Sequence, residues 1–298
     1  MSASPKILVL GAAGMLGHKL VQRLSKSFPV TGTLRGHAIP DSSAAECALG
    51  SARLLFGINV EKDEEIKRAF KAAEPDVVIN AVGIIKQLKE AKDPIPAITI
   101  NALLPHRLAK LCLSGTKRVR LIHFSTDCVF AGRDGPYHES DIPDAEDLYG
   151  RTKLLGEVGG PNNLTLRSSI IGRELKGAAG LVEWFVSQRG NGVSGFARAL
   201  YTGLTTNVMA ELVAGLIVDH PGLEGIWQVA STPINKYELL QMLERHYKLG
   251  ITIVRDEQFS CDRRLDGSRF AGHTGFQAPN WETMIGDMRA DPTPYDRE

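Results

Sequence analysis

Two short stretches hold residue types that could do carbonyl chemistry: Ser125-Thr126-Asp127, which ends an apolar run over 120–124, and Tyr149-Gly150-Arg151-Thr152-Lys153. Leu154, Leu155 and Glu157 continue the second stretch in a helical pattern. On a helix, Tyr149 and Lys153 lie one turn apart on the same face, so the ammonium can sit near the phenol. A neighbouring cation favours the phenolate and lowers a pKa that is about 10 in water. Tyr149 is then expected to exchange a proton with a substrate oxygen near neutral pH. The Thr126 hydroxyl, at a strand end, can hydrogen-bond the same oxygen as charge develops on it.

A Tyr-x-x-x-Lys spacing is common on exposed helix turns, and the head of the chain is what gives it weight here. Residues 6–10, Lys-Ile-Leu-Val-Leu, read as a strand buried in a parallel sheet. They run into Gly11-Ala12-Ala13-Gly14-Met15-Leu16-Gly17 and then into the helical spacing of Leu16, Leu20, Val21 and Leu24. Strand, glycine turn and helix in that order predict a dinucleotide site. The glycines let the backbone turn tightly and approach a pyrophosphate at the helix N-terminus.

A second strand over 28–34 should end near the adenosine ribose. In place of the acidic residue that would bond a ribose hydroxyl stands Arg35. A cation suits a 2′-phosphate, so NADP(H) is preferred over NAD(H). Residues 36–50 show no usable pattern. A third strand is expected over 53–60, with Asn59 and Val60 beside the adenine. An amphipathic helix over 63–73 and a strand over 76–80 follow. The small residues Ala81, Val82 and Gly83 would let the cofactor pass close, and Lys86 lies in the loop where ligands of open α/β sheets bind. One helix over 96–113 carries Asn101. Alternating strands and helices predict an α/β, doubly wound parallel sheet.

The bulk properties bound the alternatives. With 298 residues the chain can form one large domain or a large and a small one. A net charge of +1 offers no electrostatic case for nucleic acid or an anionic membrane. The basic run over 117–120 reads as a solvated loop. Cys47, Cys112, Cys128 and Cys261 are far apart, so neither a disulfide framework nor a metal site is indicated; Cys112 and Cys128 read as buried thiols. Without a long apolar run near residue 1, the expectation is a cytoplasmic protein.

Gly11–Gly17, Asn80-Ala-Val-Gly83, Ser125-Thr-Asp-Cys-Val-Phe130, Pro136-Tyr-His-Glu139, Tyr149–Glu157 and Leu166-Arg-Ser-Ser169 together resemble the extended short-chain dehydrogenase/reductases, most closely their dTDP-4-dehydrorhamnose reductase branch. The likeness is dense over 6–172 and thinner beyond. It implies a Rossmann-type domain over 1–172 and a substrate-binding subdomain over 173–298, with segments at about 204–232 returning to the core. It also implies a catalytic set of Thr126, Tyr149 and Lys153. Tyr149 would protonate a ketone oxygen, and Lys153 would also hold the nicotinamide ribose. The cofactor residues implied are Gly11, Gly14, Met15, Leu16, Gly17, Arg35, Asn59, Val60, Ala81, Val82, Gly83, Asn101, Ser125, Tyr149 and Lys153. Towards the substrate it implies Lys86, Thr126, Asp127, Cys128 and Ser168. Arg198 is expected on a pyrophosphate and Tyr201 on a sugar or base. A second basic cluster, Arg263, Arg264 and Arg269, resembles the branch's C-terminal arginine segment. Residues 291–298 read as a loose tail.

Where the dehydratase relatives have Thr-Asp-Glu for water elimination, this chain has Thr126-Asp127-Cys128, which disfavours dehydration. The expected function is NADPH-dependent reduction of a nucleotide-diphospho-4-keto-6-deoxy sugar, in the making of cell-surface polysaccharide precursors, with a homodimer by analogy. The alternatives are a nucleotide-sugar 4-epimerase with bound NAD and a non-catalytic NADP-binding regulatory subunit.

Overall fold

The computed structural model describes residues 4–295. Strands and helices alternate from the start: β1 (Ile7–Leu10), α1 (Met15–Leu24), β2 (Val30–Thr33), α2 (Ser43–Leu49), β3 (Arg53–Leu55), α3 (Asp63–Ala73) and β4 (Val77–Asn80). A short α4 (Pro94–Ala97), a π-helical segment (Ile98–Leu103) and α5 (Leu104–Leu113) lead to β5 (Arg120–Ser125), α6 (Leu148–Leu155) and β6 (Asn163–Arg167). The remainder comprises β7 (Ile170–Ile171), α7 (Leu181–Ser187), β8 (Gly192–Tyr201), β9 (Leu204–Thr205), α8 (Thr206–Val218), β10 (Gly225–Gln228), β11 (Ile234–Asn235), α9 (Lys236–Tyr247), β12 (Thr252–Asp262), α10 (Ser268–Thr274) and α11 (Trp281–Arg289).

Seven strands form one parallel sheet in the order β10-β6-β5-β4-β1-β2-β3. Successive residues of β1 explain why its sequence is uniformly apolar. Ile7 and Val9 enter one core with Leu20 and Leu24 of α1 and with α8, while Leu8 and Leu10 enter a second core with Ile66 of α3 and Leu104 and Leu108 of α5. Both faces of the sheet are covered, as the α/β reading requires. The strand order reverses between β1 and β4, which opens a crevice at their C-terminal ends, where ligands of such sheets bind. A second sheet, β11-β8-β12, stands apart from the first, although β10, from the same half of the chain, pairs with β6 in the large sheet.

Several expectations need correction. The third strand stops at Leu55 because Gly57 takes a left-handed conformation and Asn59 closes a turn on the Glu61 N–H, so Asn59 and Val60 lie beyond it. Residues 43–49 form a small alanine-rich helix capped by Ser42, too short to leave a periodic signature. The single helix expected over 96–113 is broken into α, π and α segments. Arg120 does not lie in a solvated loop: it is buried and donates to the carbonyls of Leu216 and Leu223. Cys112 is buried, whereas Cys128 is only partly so.

The expected loose tail is also ordered as far as residue 295. Asp291 accepts from Lys19 at 2.6 Å, and the Tyr295 hydroxyl lies 2.8 Å from His18 Nε2 on α1. Residues 296–298 lie outside the described residues. Among the described residues, no helix is long and apolar enough to cross a membrane.

Candidate active site

At the crevice, each glycine of the first turn answers a separate steric demand. Gly11 has φ +80°, and a Cβ there would also meet Val82 Cγ2 at 2.9 Å. A Cβ on Gly17 would stand 2.0 Å from the Gly11 carbonyl oxygen, so only glycine lets α1 pack onto the turn. Gly14 is the N-cap of α1; its position has no side-chain cap, and the first turn holds no acidic residue. The first N–H groups of the helix are thus left for an anion, a fit to a pyrophosphate. Leu16 is buried in the core, while Met15 lies half-buried with its sulfur near Gly180. Ala81 and Val82 border the turn and Gly83 is exposed beside it. Arg35 is exposed just past β2 and, among the described residues, makes no ion pair.

β5 and α6 bring the second set of residues to the same end of the sheet. β5 is buried throughout and ends at Ser125, so Thr126 is the first residue free to face the crevice. Its hydroxyl accepts from the Cys128 N–H at 3.1 Å and donates to Asp127 Oδ1 at 3.0 Å. Asp147 caps α6 by accepting from the Gly150 N–H at 2.7 Å, which fixes Tyr149 and Lys153 on the following turns. Lys86 pairs with Asp147 at 2.6 Å, so this predicted substrate residue braces the start of the Tyr149 helix. α6 presses so closely on the π-helical segment that a Cβ on Gly156 would lie 1.9 Å from the Asn101 carbonyl oxygen. The Asn101 side chain grips Ile84 from both sides, accepting from its N–H and donating to its carbonyl, each at 2.9 Å.

The electrostatics differ from those expected of a Tyr/Lys pair. Burial raises the Tyr149 pKa, the neighbouring Cys128 and the carboxylates of Asp127 and Asp147 push it the same way, and a hydrogen bond with Thr126 pulls it down. Lys153 is itself pulled down to about 8 by burial, against the attraction of Glu157, and its ammonium donates to the Phe124 carbonyl at 2.5 Å. The predicted lowering of the Tyr149 pKa is therefore corrected. In this interior, desolvation of the phenol outweighs a cation already engaged with the backbone. Behind this layer, Glu157 accepts from Ser125 at 2.6 Å and forms a two-pronged ion pair with buried Arg167, each bond 2.7 Å. Ser125 and Ser168 thus have hydroxyls engaged within the protein, Ser168 donating to the Ser169 carbonyl.

The small sheet supplies the opposite wall, and it separates two residues predicted to act together. Arg198 and Tyr201 are three apart on β8, hence on opposite faces. Arg198 is exposed beside Ser260, while Tyr201 is 2% exposed and points inward with Ala197 and Ala199. The Asp127 charge reaches Tyr201. Sequence reasoning missed Lys236, the first residue of α9, whose ammonium lies 3.7 Å from the Tyr201 ring centroid and within the field of Asp127 and Cys128. A lysine opening a helix gives no sequence signal of this kind. The arginine cluster staples loops: Arg263 donates to the Phe130 and Ala131 carbonyls, Arg264 pairs with Asp262, and Arg269 stacks 3.8 Å over Trp227.

The RmlD substrate binding domain model matches residues 5–170, a span that contains the glycine turn, Thr126, Tyr149 and Lys153. The chain belongs to the RmlD substrate-binding-domain family. Among RmlD-type relatives, a dTDP-4-dehydrorhamnose reductase of Mycolicibacterium smegmatis is 33% identical over 154 residues, 51% of this chain and 40% of the relative. A methionine adenosyltransferase 2 subunit beta of Danio rerio is 28% identical over 153 residues, 51% of this chain and 42% of that one. These matches thus span less than half the length of either relative. A dTDP-4-dehydrorhamnose reductase of Bacillus anthracis, solved with NADP, superposes with a TM-score of 0.77, covering 97% of this chain and 99% of that one at 17% identity. The fold class expected from the sequence and the RmlD-type family are both borne out.

Proposed function

We propose that this protein is an NADPH-dependent reductase of a nucleotide-diphospho-4-keto-6-deoxy sugar. The observation that carries this reading is the convergence of Thr126, Tyr149 and Lys153 at the C-terminal end of β5, beside an uncapped α1 N-terminus. Residues matching an RmlD-type model hold all of these parts, and a relative of the same family is named for dTDP-4-dehydrorhamnose reduction. A bound nicotinamide supplies the reducing equivalent. Everything else falls to this chain. Gly11, Gly14 and Gly17 accommodate the pyrophosphate, and Arg35, exposed and outside the ion pairs of the described residues, favours a 2′-phosphate.

The raised pKa of Tyr149 serves the reductive direction. A ketone being reduced needs a proton donor, and burial keeps the phenol protonated at neutral pH. Thr126 steadies the same oxygen, and Lys153 orients the site from beneath through Phe124. Residues 173–298 supply most of the substrate's second wall, with Tyr201 on its inner surface.

The test is nicotinamide absorbance with purified protein, NADPH or NADH, and a panel of dTDP- and UDP-linked 4-keto-6-deoxyhexoses. Oxidation that depends on one of these sugars and runs faster with NADPH is expected. Firm NADPH binding with no turnover across the panel would replace this reading with the regulatory one, which has support in the similarity to the methionine adenosyltransferase subunit.

A further inference from the structure

Lys236 occupies an unfavourable position by every local rule. It is the first residue of α9, just after the Asn235 cap, where a cation opposes the positive end of the helix dipole. Among the described residues no carboxylate lies within ion-pair distance of its ammonium, which instead rests 3.7 Å from the centroid of the Tyr201 ring. Tyr201, 2% exposed, has a buried hydroxyl with no hydrogen-bond partner among the described residues. The charge of Asp127, 6% exposed in the turn after β5, reaches both, and one of its oxygens is taken by Thr126. A half-buried cation without a carboxylate and an orphaned phenol are each unfavourable for the protein by itself. With Asp127 they make two donors and one carboxylate acceptor beside Thr126, whose hydroxyl is assigned to the reacting oxygen.

Two donors and an acceptor gathered beside Thr126 match the hydroxyls of a sugar ring, which both donate and accept. A diphosphate offers acceptors only and gains nothing from Asp127. Arg198, the residue expected on the diphosphate, lies on the other face of β8. We propose that Lys236, with Tyr201 and Asp127, grips the sugar ring of the substrate next to its reacting carbon, and does not read the phosphates. This inference rests on the reductase reading.

The experiment compares calorimetric binding of dTDP-rhamnose, the expected product, with that of dTDP for the wild type, Lys236→Met, Lys236→Arg and Tyr201→Phe. Losing a hydrogen bond from a charged donor should weaken dTDP-rhamnose binding by about ten- to a hundredfold in Lys236→Met. Affinities for dTDP and NADPH should stay level, and Lys236→Arg should recover part of the loss. In turnover, KM for the sugar nucleotide should rise more than kcat falls. Equal loss of dTDP and dTDP-rhamnose overturns the proposal by sending the cation to the phosphates, and unchanged binding of both overturns it outright. A wild type that binds dTDP-rhamnose no better than dTDP overturns the proposal by showing that the sugar ring is not gripped. A wild type that binds neither these two ligands nor their UDP counterparts overturns the reductase reading, and this inference with it.

Discussion

At the scale of single residues, the phenol of Tyr149 is the group on which the proposed reduction turns. Its surroundings hold it protonated, which suits a donor to a ketone oxygen and not a base. Tyr149→Phe keeps the ring and removes only the transferable proton. It should lower turnover by about 10²- to 10⁴-fold while NADPH binding, followed by fluorescence, is unchanged. A variant retaining full turnover would remove the assignment. The identities and spacing of Thr126, Tyr149 and Lys153 could be read from the sequence, since a one-turn separation places side chains on one face whatever the tertiary fold. The direction of the Tyr149 shift could not. It depends on burial and on Cys128 and Asp127, which only folding brings near the ring.

At the scale of elements, close approaches that glycine alone permits build the site, among them α1 on its own turn and α6 on the π-helical segment. The second is the more revealing, because Gly156 touches backbone and no flexible side chain can yield. Gly156→Ala should cost about 3 kcal/mol in chemical denaturation, the upper part of the usual range for overpacking. It should also weaken NADPH binding, since α6 and Asn101 would move apart; unchanged stability would mean the two segments separate freely. Short apolar strands and amphipathic helices such as α3 were legible because their periodicity reflects burial on one or two faces. β8 and β12 were not. β8 has the small residues Gly195, Ala197 and Ala199 along the middle of its inner face and Ser194, Phe196 and Arg198 outside, and β12 is an edge strand with mostly exposed side chains, so neither carries a strong apolar signature. Arg198 and Tyr201 were therefore assigned to one pocket when strand geometry puts them on opposite faces.

At the scale of the whole molecule, the residues after α11 return to α1 and complete it. His18 is fully buried, with Nδ1 2.9 Å from the Gly14 carbonyl and Nε2 2.8 Å from the Tyr295 hydroxyl. A carbonyl can only accept, so Nδ1 carries the proton and the tyrosine donates to Nε2, a pattern that requires the neutral ring. Burial holds the His18 pKa down at about 4, against 6.5 for the free side chain. Between those values the unfolded chain binds more protons, so stability rises with pH there. The contribution is complete above pH 6.5 and is lost as pH falls through 4, about 3 kcal/mol in all. Thermal midpoints measured from pH 7 to pH 4 should fall steeply in the wild type and less in His18→Gln. Identical slopes would show that His18 is not the group responsible.

The same strap also orders the making of the protein. His18 and Tyr295 are 277 positions apart, and Lys19 finds Asp291 across a similar span. α1 emerges from the ribosome well before residues 291–295, and until they follow, His18 and Lys19 have only the local partners Gly14 and Gln22. The helix that opens the crevice is thus closed only after residues 291–295 have followed it. A nascent chain that has translated the whole Rossmann half still carries an uncovered histidine and lysine on that helix.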